Sequence, residues 1–240
     1  MNLKTDAIVL SVNKFKDNAS IVDLYTQEAG RTTFLLYGAQ SKKHRGSACL
    51  HPLSMVSIDV NVRNSRELNV INEIKQLEPN LELIFNPVKS ALSFFVSEVL
   101  LHVLKTNEKD DNLFNFLRNS IATLSESKKG LGNFHILFLI RLSRFLGFQP
   151  QREESASYTY FDLLQVEYTN THPAHSHFLQ GREADQMQKL LRMTPFNYAY
   201  FRFTKSEREQ VINYLLEYYK LHTDSFGEIH SLEVLKEVFA

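Results

Sequence analysis

Residues 5–37 read T-D-A-I-V-L-S-V-N-K-F-K-D-N-A-S-I-V-D-L-Y-T-Q-E-A-G-R-T-T-F-L-L-Y, and the fold turns on how this run is parsed. Thr5–Val12 is rich in β-branched residues, which suit a pleated, half-buried surface. Ser20–Thr26 sets Ile21, Val22, Leu24 and Tyr25 among polar residues, and Arg31–Tyr37 supplies a third strand ended by Gly38. Between the last two, Gln27-Glu28-Ala29-Gly30 is a short turn in which Gly30 can take positive φ at little cost. Further along, Ser54–Val62 alternates Val56, Ile58, Val60 and Val62 with Ser57, Asp59 and Asn61, a period of two. Leu68–Leu77 supplies a fifth strand. Five short strands separated by turns predict a small barrel, and a five-stranded OB-type barrel removes exposed sheet edges economically.

The pattern changes near residue 80. Pro79 and Pro87 bracket a short segment, and after Pro87 the hydrophobic period becomes helical. Val88–Lys105 is apolar on most sides, Asp110–Leu124 is amphipathic, and Phe134–Leu146 is again strongly apolar, stopped by Gly147 with Pro150 beyond. Tyr158–Asp162 and Leu164–Tyr168 read as a hairpin followed by a His-rich loop at Thr171–His177. Glu183–Met193, Lys205–His222 and Ser231–Phe239 read as helices, the last with Ser231 as N-cap. The predicted class is α+β: an N-terminal five-stranded OB-fold barrel over residues 1–79, then a mainly α-helical domain over 80–240 with a small β-hairpin insertion within 151–181.

The chain of 240 residues balances 27 Lys+Arg against 27 Asp+Glu. That sum argues against a uniformly basic binder and against an acidic disordered chain, but it can conceal a local patch. Residues 1–66 hold nine basic residues and five acidic ones, a net of +4, while 131–152 hold three basic residues and no acid. The densest piece is Ser41-Lys42-Lys43-His44-Arg45-Gly46-Ser47. Such a loop on a barrel is either a phosphate contact, with Phe15, Phe34 and Tyr37 nearby to stack on bases, or a solvated surface loop beside core aromatics. One cysteine, Cys49, excludes an internal disulfide framework and zinc sites that need two or more thiolates. Met1–Lys16 does not resemble a signal peptide, and Phe134–Phe148 is too short and too charged for a membrane span. The expectation is a cytoplasmic protein without cofactor.

No phosphate-binding, hydrolase or metalloprotease motif is present, and the expectation is a non-enzyme. Asp110-Asp111 and Glu153-Glu154 are adjacent acids that splay apart and make poor two-metal sites. His172, His175 and His177 are weak candidates for a metal, since no cysteine or clear carboxylate partner accompanies them.

These residues also carry a resemblance. Ala7–Leu10, Asp17-Asn18, Ile21–Thr26, Glu28, Gly30, Tyr37-Gly38-Ala39 with Ser41-Lys42, then Leu50–Leu53 and Arg66-Glu67-Leu68, resemble the barrel of the bacterial recombination-mediator family RecO. Arg144–Phe148 and His230–Leu235 resemble that family's helical domain. The resemblance implies an OB-fold domain binding single- and double-stranded DNA, and a chain that loads the RecA recombinase onto strands coated by single-strand-binding protein (SSB). It further implies a partner, RecR, annealing of complementary strands, and association with the nucleoid when DNA is bound. Carried over by position, DNA contacts fall on Arg31, Lys42, Lys43 and Arg45, with Lys14 and Lys16 as outer candidates. Tyr37 and Gln40 stand where relatives often carry basic residues, and Tyr37 is expected to pack in the core or at the barrel rim. Many relatives carry a four-cysteine zinc module where this chain has the cysteine-free stretch 153–181.

The SSB tail is acidic and ends in apolar residues, so its receiver needs an apolar groove edged with positive charge. Phe138, Leu142 and Phe145 with Arg141 and Arg144 are the candidates. Two rival readings are a non-catalytic protein-interaction scaffold and an RNA-binding OB-fold protein.

Overall fold

The computed structural model describes residues 2–38, 50–62, 68–151 and 158–239. They form two compact units, Met1–Glu126 and Ser127–Ala240.

In the first unit, β1 (Asn2–Lys16), β2 (Ala19–Thr26), β3 (Gly30–Tyr37), β4 (Met55–Asn61) and β5 (Asn69–Gln76) close a barrel in the order β1-β2-β3-β5-β4, with β1 also paired to β4. The expected OB-type barrel is thus the observed one. All pairings are antiparallel except β3 with β5, which is parallel. Period-two alternation sends Ala7, Val9, Val22, Leu24, Phe34, Leu36, Val56, Ile58, Val60 and Ile71 into the interior.

β1 is buried on both faces, with Ala7, Ile8, Val9 and Leu10 all at 0–1% exposure. Its outer face lies under α2 (Pro87–Val103), whose Leu92, Phe95, Val96, Val99 and Leu100 are buried. Each such side chain removed from water contributes about 1.5–3 kcal/mol. The register of β1 on β2 jumps between Val9 and Ser11, so Leu10 is an extra residue, and its carbonyl accepts a hydrogen bond from the Ser97 hydroxyl of α2. α2 starts from an Asn-Pro pair: the Asn86 side chain accepts from Val88 N and Lys89 N, and Pro87 occupies the first turn. A short helix α1 (Leu81–Phe85) precedes it, and α3 (Asp111–Glu126) follows. Lys89 is 3% exposed, and its ammonium donates to Glu82 of α1 and to Ser125 O in the last turn of α3. Asp110 caps α3 through bonds from Asn112 N and Leu113 N, which is how this acid is used; Glu153-Glu154 lie outside the described residues.

In the second unit, α4 (Leu131–Phe145) packs with α6 (Lys205–His222), and α5 (Arg182–Leu190) and α7 (Ser231–Val238) complete the helices. The hairpin supplies two strands of a three-stranded sheet, β6 (Tyr160–Asp162), β7 (Glu167–Thr169) and β8 (Phe178–Gln180), in the order β7-β6-β8. α6 opens on a capping box between Thr204 and Glu207. α7 does not use Ser231 as a side-chain cap: the chain is already helical at His230, and Leu232 N donates to Ile229 O instead. No helix among the described residues is long and apolar enough to cross a membrane.

Two predictions follow from this packing. Gly30 sits at φ +64°, and a Cβ there would lie 2.1 Å from the Glu108 carbonyl oxygen. Gly30→Ala is therefore expected to cost at least about 2 kcal/mol, read as a lower urea midpoint. His135 of α4 is fully buried against Phe239, with Arg208 near it, and burial lowers its pKa from 6.5 to about 3. The unfolded chain then takes up that proton first. Stability is complete above pH 6.5 and falls by about 1.4 kcal/mol per pH unit as the pH drops from there toward 3. In urea melts across this window, His135→Leu should show a shallower acid loss than the parent chain.

Candidate nucleic-acid interface

One end of the barrel gathers what the sequence separates. β1 and β2 meet in a hairpin whose tip is Asp17-Asn18, and Lys14 and Lys16 stand exposed on its β1 side. The β1–β2 register jumps a second time between Lys14 and Lys16, opposite Ser20 and Ala19, which makes Phe15 the extra residue. The bulge takes Phe15 out of the alternation and leaves it 50% exposed, with the Lys16 ammonium 5.2 Å from its ring centre. Across the sheet, Ala19 pairs with both Lys16 and Tyr37, so these two lie in one row over three strands. Tyr37 is 54% exposed at the last position of β3, where the barrel interior has ended, so of the two expected places, core and barrel rim, it is not in the core. Phe34, the third aromatic considered for stacking, is a core residue.

The chain leaves β3 at Gly38, at φ +74°, where Gly38 N donates to Asn18 O across the hairpin tip. Lys42, Lys43 and Arg45 lie outside the described residues. The chain resumes at Leu50, which packs against the barrel core. Asp23, the acid nearest this surface on β2, accepts from Ser11 and Thr33 hydroxyls on the two flanking strands at 2.7 and 2.6 Å.

Arg31 points elsewhere. Its guanidinium donates to Leu101 O and, at 3.2 Å, to Leu104 O, carbonyls at the C-terminal end of α2. A cation there answers the orphan carbonyls and the negative end of the helix dipole. This is a structural assignment, and Arg31 does not join the Lys14–Tyr37 cluster.

In the second unit, Phe138 and Leu142 are 2% and 0% exposed because α4 is enclosed on nearly all sides. They are core residues and offer no wall to a peptide groove, which corrects that part of the expectation. Arg144 is exposed, while Arg141 and Phe145 are half-buried. A cleft nearer the required character lies between α6 and α7, where Ile212, Leu232, Leu235 and Phe239 form an apolar floor with His135, edged by Lys205, Arg208 and Lys236, the last paired with Glu233, and by one acid, Glu209. Sequence reading passed over it because its residues come from two separate helices, each unremarkable in charge.

The histidines of the small sheet are each engaged by protein groups. His175 Nε2 donates to Asp162 at 3.1 Å while its Nδ1 accepts from His177 N, and His177 Nδ1 donates to Glu217 at 2.9 Å. The His172 ring packs on Tyr160 and Phe178, and its Nδ1 donates to Pro173 O. No group of three or more His, Cys, Asp or Glu side chains comes together as a metal site among the described residues.

With this geometry in place, comparison with known proteins is informative. The family description "Recombination protein O N terminal" matches residues 1–80, and "Recombination protein O C terminal" matches residues 85–232. The DNA repair protein RecO of Azobacteroides pseudotrichonymphae is 38% identical over 240 residues, covering 100% of both chains. That of Bacteroides fragilis is 36% identical over 238 residues and 98% of each chain, and that of Flavobacterium johnsoniae 30% over 242 residues and 100% of each.

The assignment of Arg31 is tested by Arg31→Gln. Loss of charged hydrogen bonds to the α2 carbonyls should lower unfolding free energy by about 2 kcal/mol in urea.

Proposed function

The chain belongs to the RecO family of DNA repair proteins, and from that premise we propose that its barrel binds DNA at the β1–β2 tip and the end of β3. The observation that carries this reading is the grouping of Lys14, Lys16, Phe15 and Tyr37 on one exposed corner. Lysines release counterions from the phosphate backbone, giving affinity that is independent of sequence and weakened by salt. Exposed rings stack on unpaired bases, worth about 1–3 kcal/mol each, so single strands are favoured over duplex. The chain acts by binding and not by catalysis: it engages SSB-coated single strands, promotes RecA loading together with RecR, and brings complementary strands together. It works in the cytoplasm.

The acidic, apolar-ended SSB tail is received, in this reading, by the α6–α7 cleft. Its apolar floor takes the terminal side chains, and Lys205, Arg208 and Lys236 meet the carboxylates.

Anisotropy of a labelled single-stranded oligonucleotide at two salt concentrations tests the reading. The parent chain should bind more weakly as salt rises. Lys14→Gln with Lys16→Gln should reduce the salt slope by about 1.4, the value for two phosphate contacts on a single strand. Lys42→Ala, Lys43→Ala and Arg45→Ala together should flatten it further. Parent-like binding by all these variants would overturn the barrel assignment. A matched RNA strand binding more tightly than DNA would favour the RNA-binding rival.

A further inference from the structure

The segment between α5 and α6, residues 191–204, shows an arrangement unlike the rest of the second unit. Phe196 is 92% exposed and Tyr200 81% exposed, the two most exposed large apolar side chains among the described residues. They are not on a loose strand. Thr194 N donates to Asn197 Oδ1 at 2.7 Å, and Asn197 Nδ2 donates to Arg192 O at 3.0 Å. Tyr198, between the two rings, is 4% exposed and packs edge-on against Phe134. Asn133 of α4 donates to both Tyr198 O and Phe201 O at 2.9 Å. The segment is therefore pinned to α4 from below while Phe196 and Tyr200 project from it, so little ordering entropy is lost when they are covered.

The charged residues of the segment itself are of one sign. Arg192 and Arg202 are exposed on the segment itself, and from residue 186 to residue 206 the chain contains no acid. The adjoining segment is 127–132: Gly130 lies against Ala199, where a Cβ would be 2.5 Å from its Cα, and the Ser127 hydroxyl bonds that of Tyr198. It carries exposed Lys128 and Lys129, and no acid occurs from 127 to 152.

We propose that Phe196 and Tyr200, with Arg192, Arg202, Lys128 and Lys129, form a second contact surface for single-stranded nucleic acid, separate from the barrel corner. Two singly presented rings interleaved with cations match unpaired bases alternating with phosphates. Neither ring lines the α6–α7 cleft, so the surface offers stacking faces and not a pocket for an apolar peptide anchor. A chain with two strand-binding surfaces can hold two unpaired strands at once, which annealing requires. Block counting obscures the site, because the acid-free run 186–206 sits inside residues 171–240, where eight basic residues meet nine acids.

The test uses the full chain and a labelled oligo-dT strand. Phe196→Ala with Tyr200→Ala should weaken binding by about tenfold or more while leaving the melting temperature in place, since both rings are exposed. Phe196→Tyr with Tyr200→Phe should restore affinity. Arg192→Gln with Arg202→Gln should lower the salt slope by about 1.4. An alanine pair that binds oligo-dT like the parent overturns the proposal, as does a pair that keeps strand binding but loses an acidic peptide ending in phenylalanine. These outcomes are separable from the barrel reading: loss confined to the Lys14/Lys16 variant sinks this surface alone, and loss confined to the aromatic pair sinks the barrel corner alone.

Discussion

Burial of β1 on both faces is the constraint on which the first unit depends. A strand that pairs with β2 on one side and β4 on the other closes the barrel, and its inward residues Ala7 and Val9 fill the interior. Its outward residues Ile8 and Leu10 would be a greasy surface if left bare, and α2 covers them. The Leu10 bulge makes the covering specific, because it turns a carbonyl that the β-ladder would have used toward Ser97. Arg31 then fastens β3 to the far end of the same helix. With the barrel wall committed in this way, the hairpin tip beyond Val12 and the end of β3 are left to solvent. There the strand alternation ends and cations and rings emerge.

Much of this was legible in the residues. β-Branched content, alternation and turn residues located the five strands to within a few positions, and the predicted helix Lys205–His222 has the observed bounds. What escaped depends on pairing, not on local pattern. Neither bulge can be seen until the register of β1 on β2 is known, yet one sets Leu10 toward α2 and the other exposes Phe15. The third strand of the small sheet, Phe178–Gln180, is only three residues long and is defined by its partner. Phe138, Leu142 and Phe145 with two arginines read as an amphipathic face, but enclosure of α4 puts two of those apolar residues in the core. Arg31, carried over by position from the family resemblance as a DNA contact, met the same difficulty: only the fold shows that it faces the carbonyls ending α2.

The zero net charge also takes on a different meaning. Of the nine basic residues over 1–66, Lys14 and Lys16 stand at one corner of the barrel, and a second single-sign segment lies within a stretch whose total is nearly neutral. Acids elsewhere cancel these in the sum but not in space, because screening confines each to about 8–10 Å at physiological salt. On the proposed reading, strands are held by local contacts that salt and competing partners loosen, which suits a protein whose family acts in DNA repair.

The central claim is that the described barrel contacts DNA through its hairpin-tip corner. Amide hydrogen exchange on the full chain, with and without saturating oligo-dT, measures this most directly. Slowed exchange at residues 13–19 and at Tyr37-Gly38, with the peptides of α2 unchanged, is the result the account predicts. Protection of the α2 face with no change at the β1–β2 tip would contradict it.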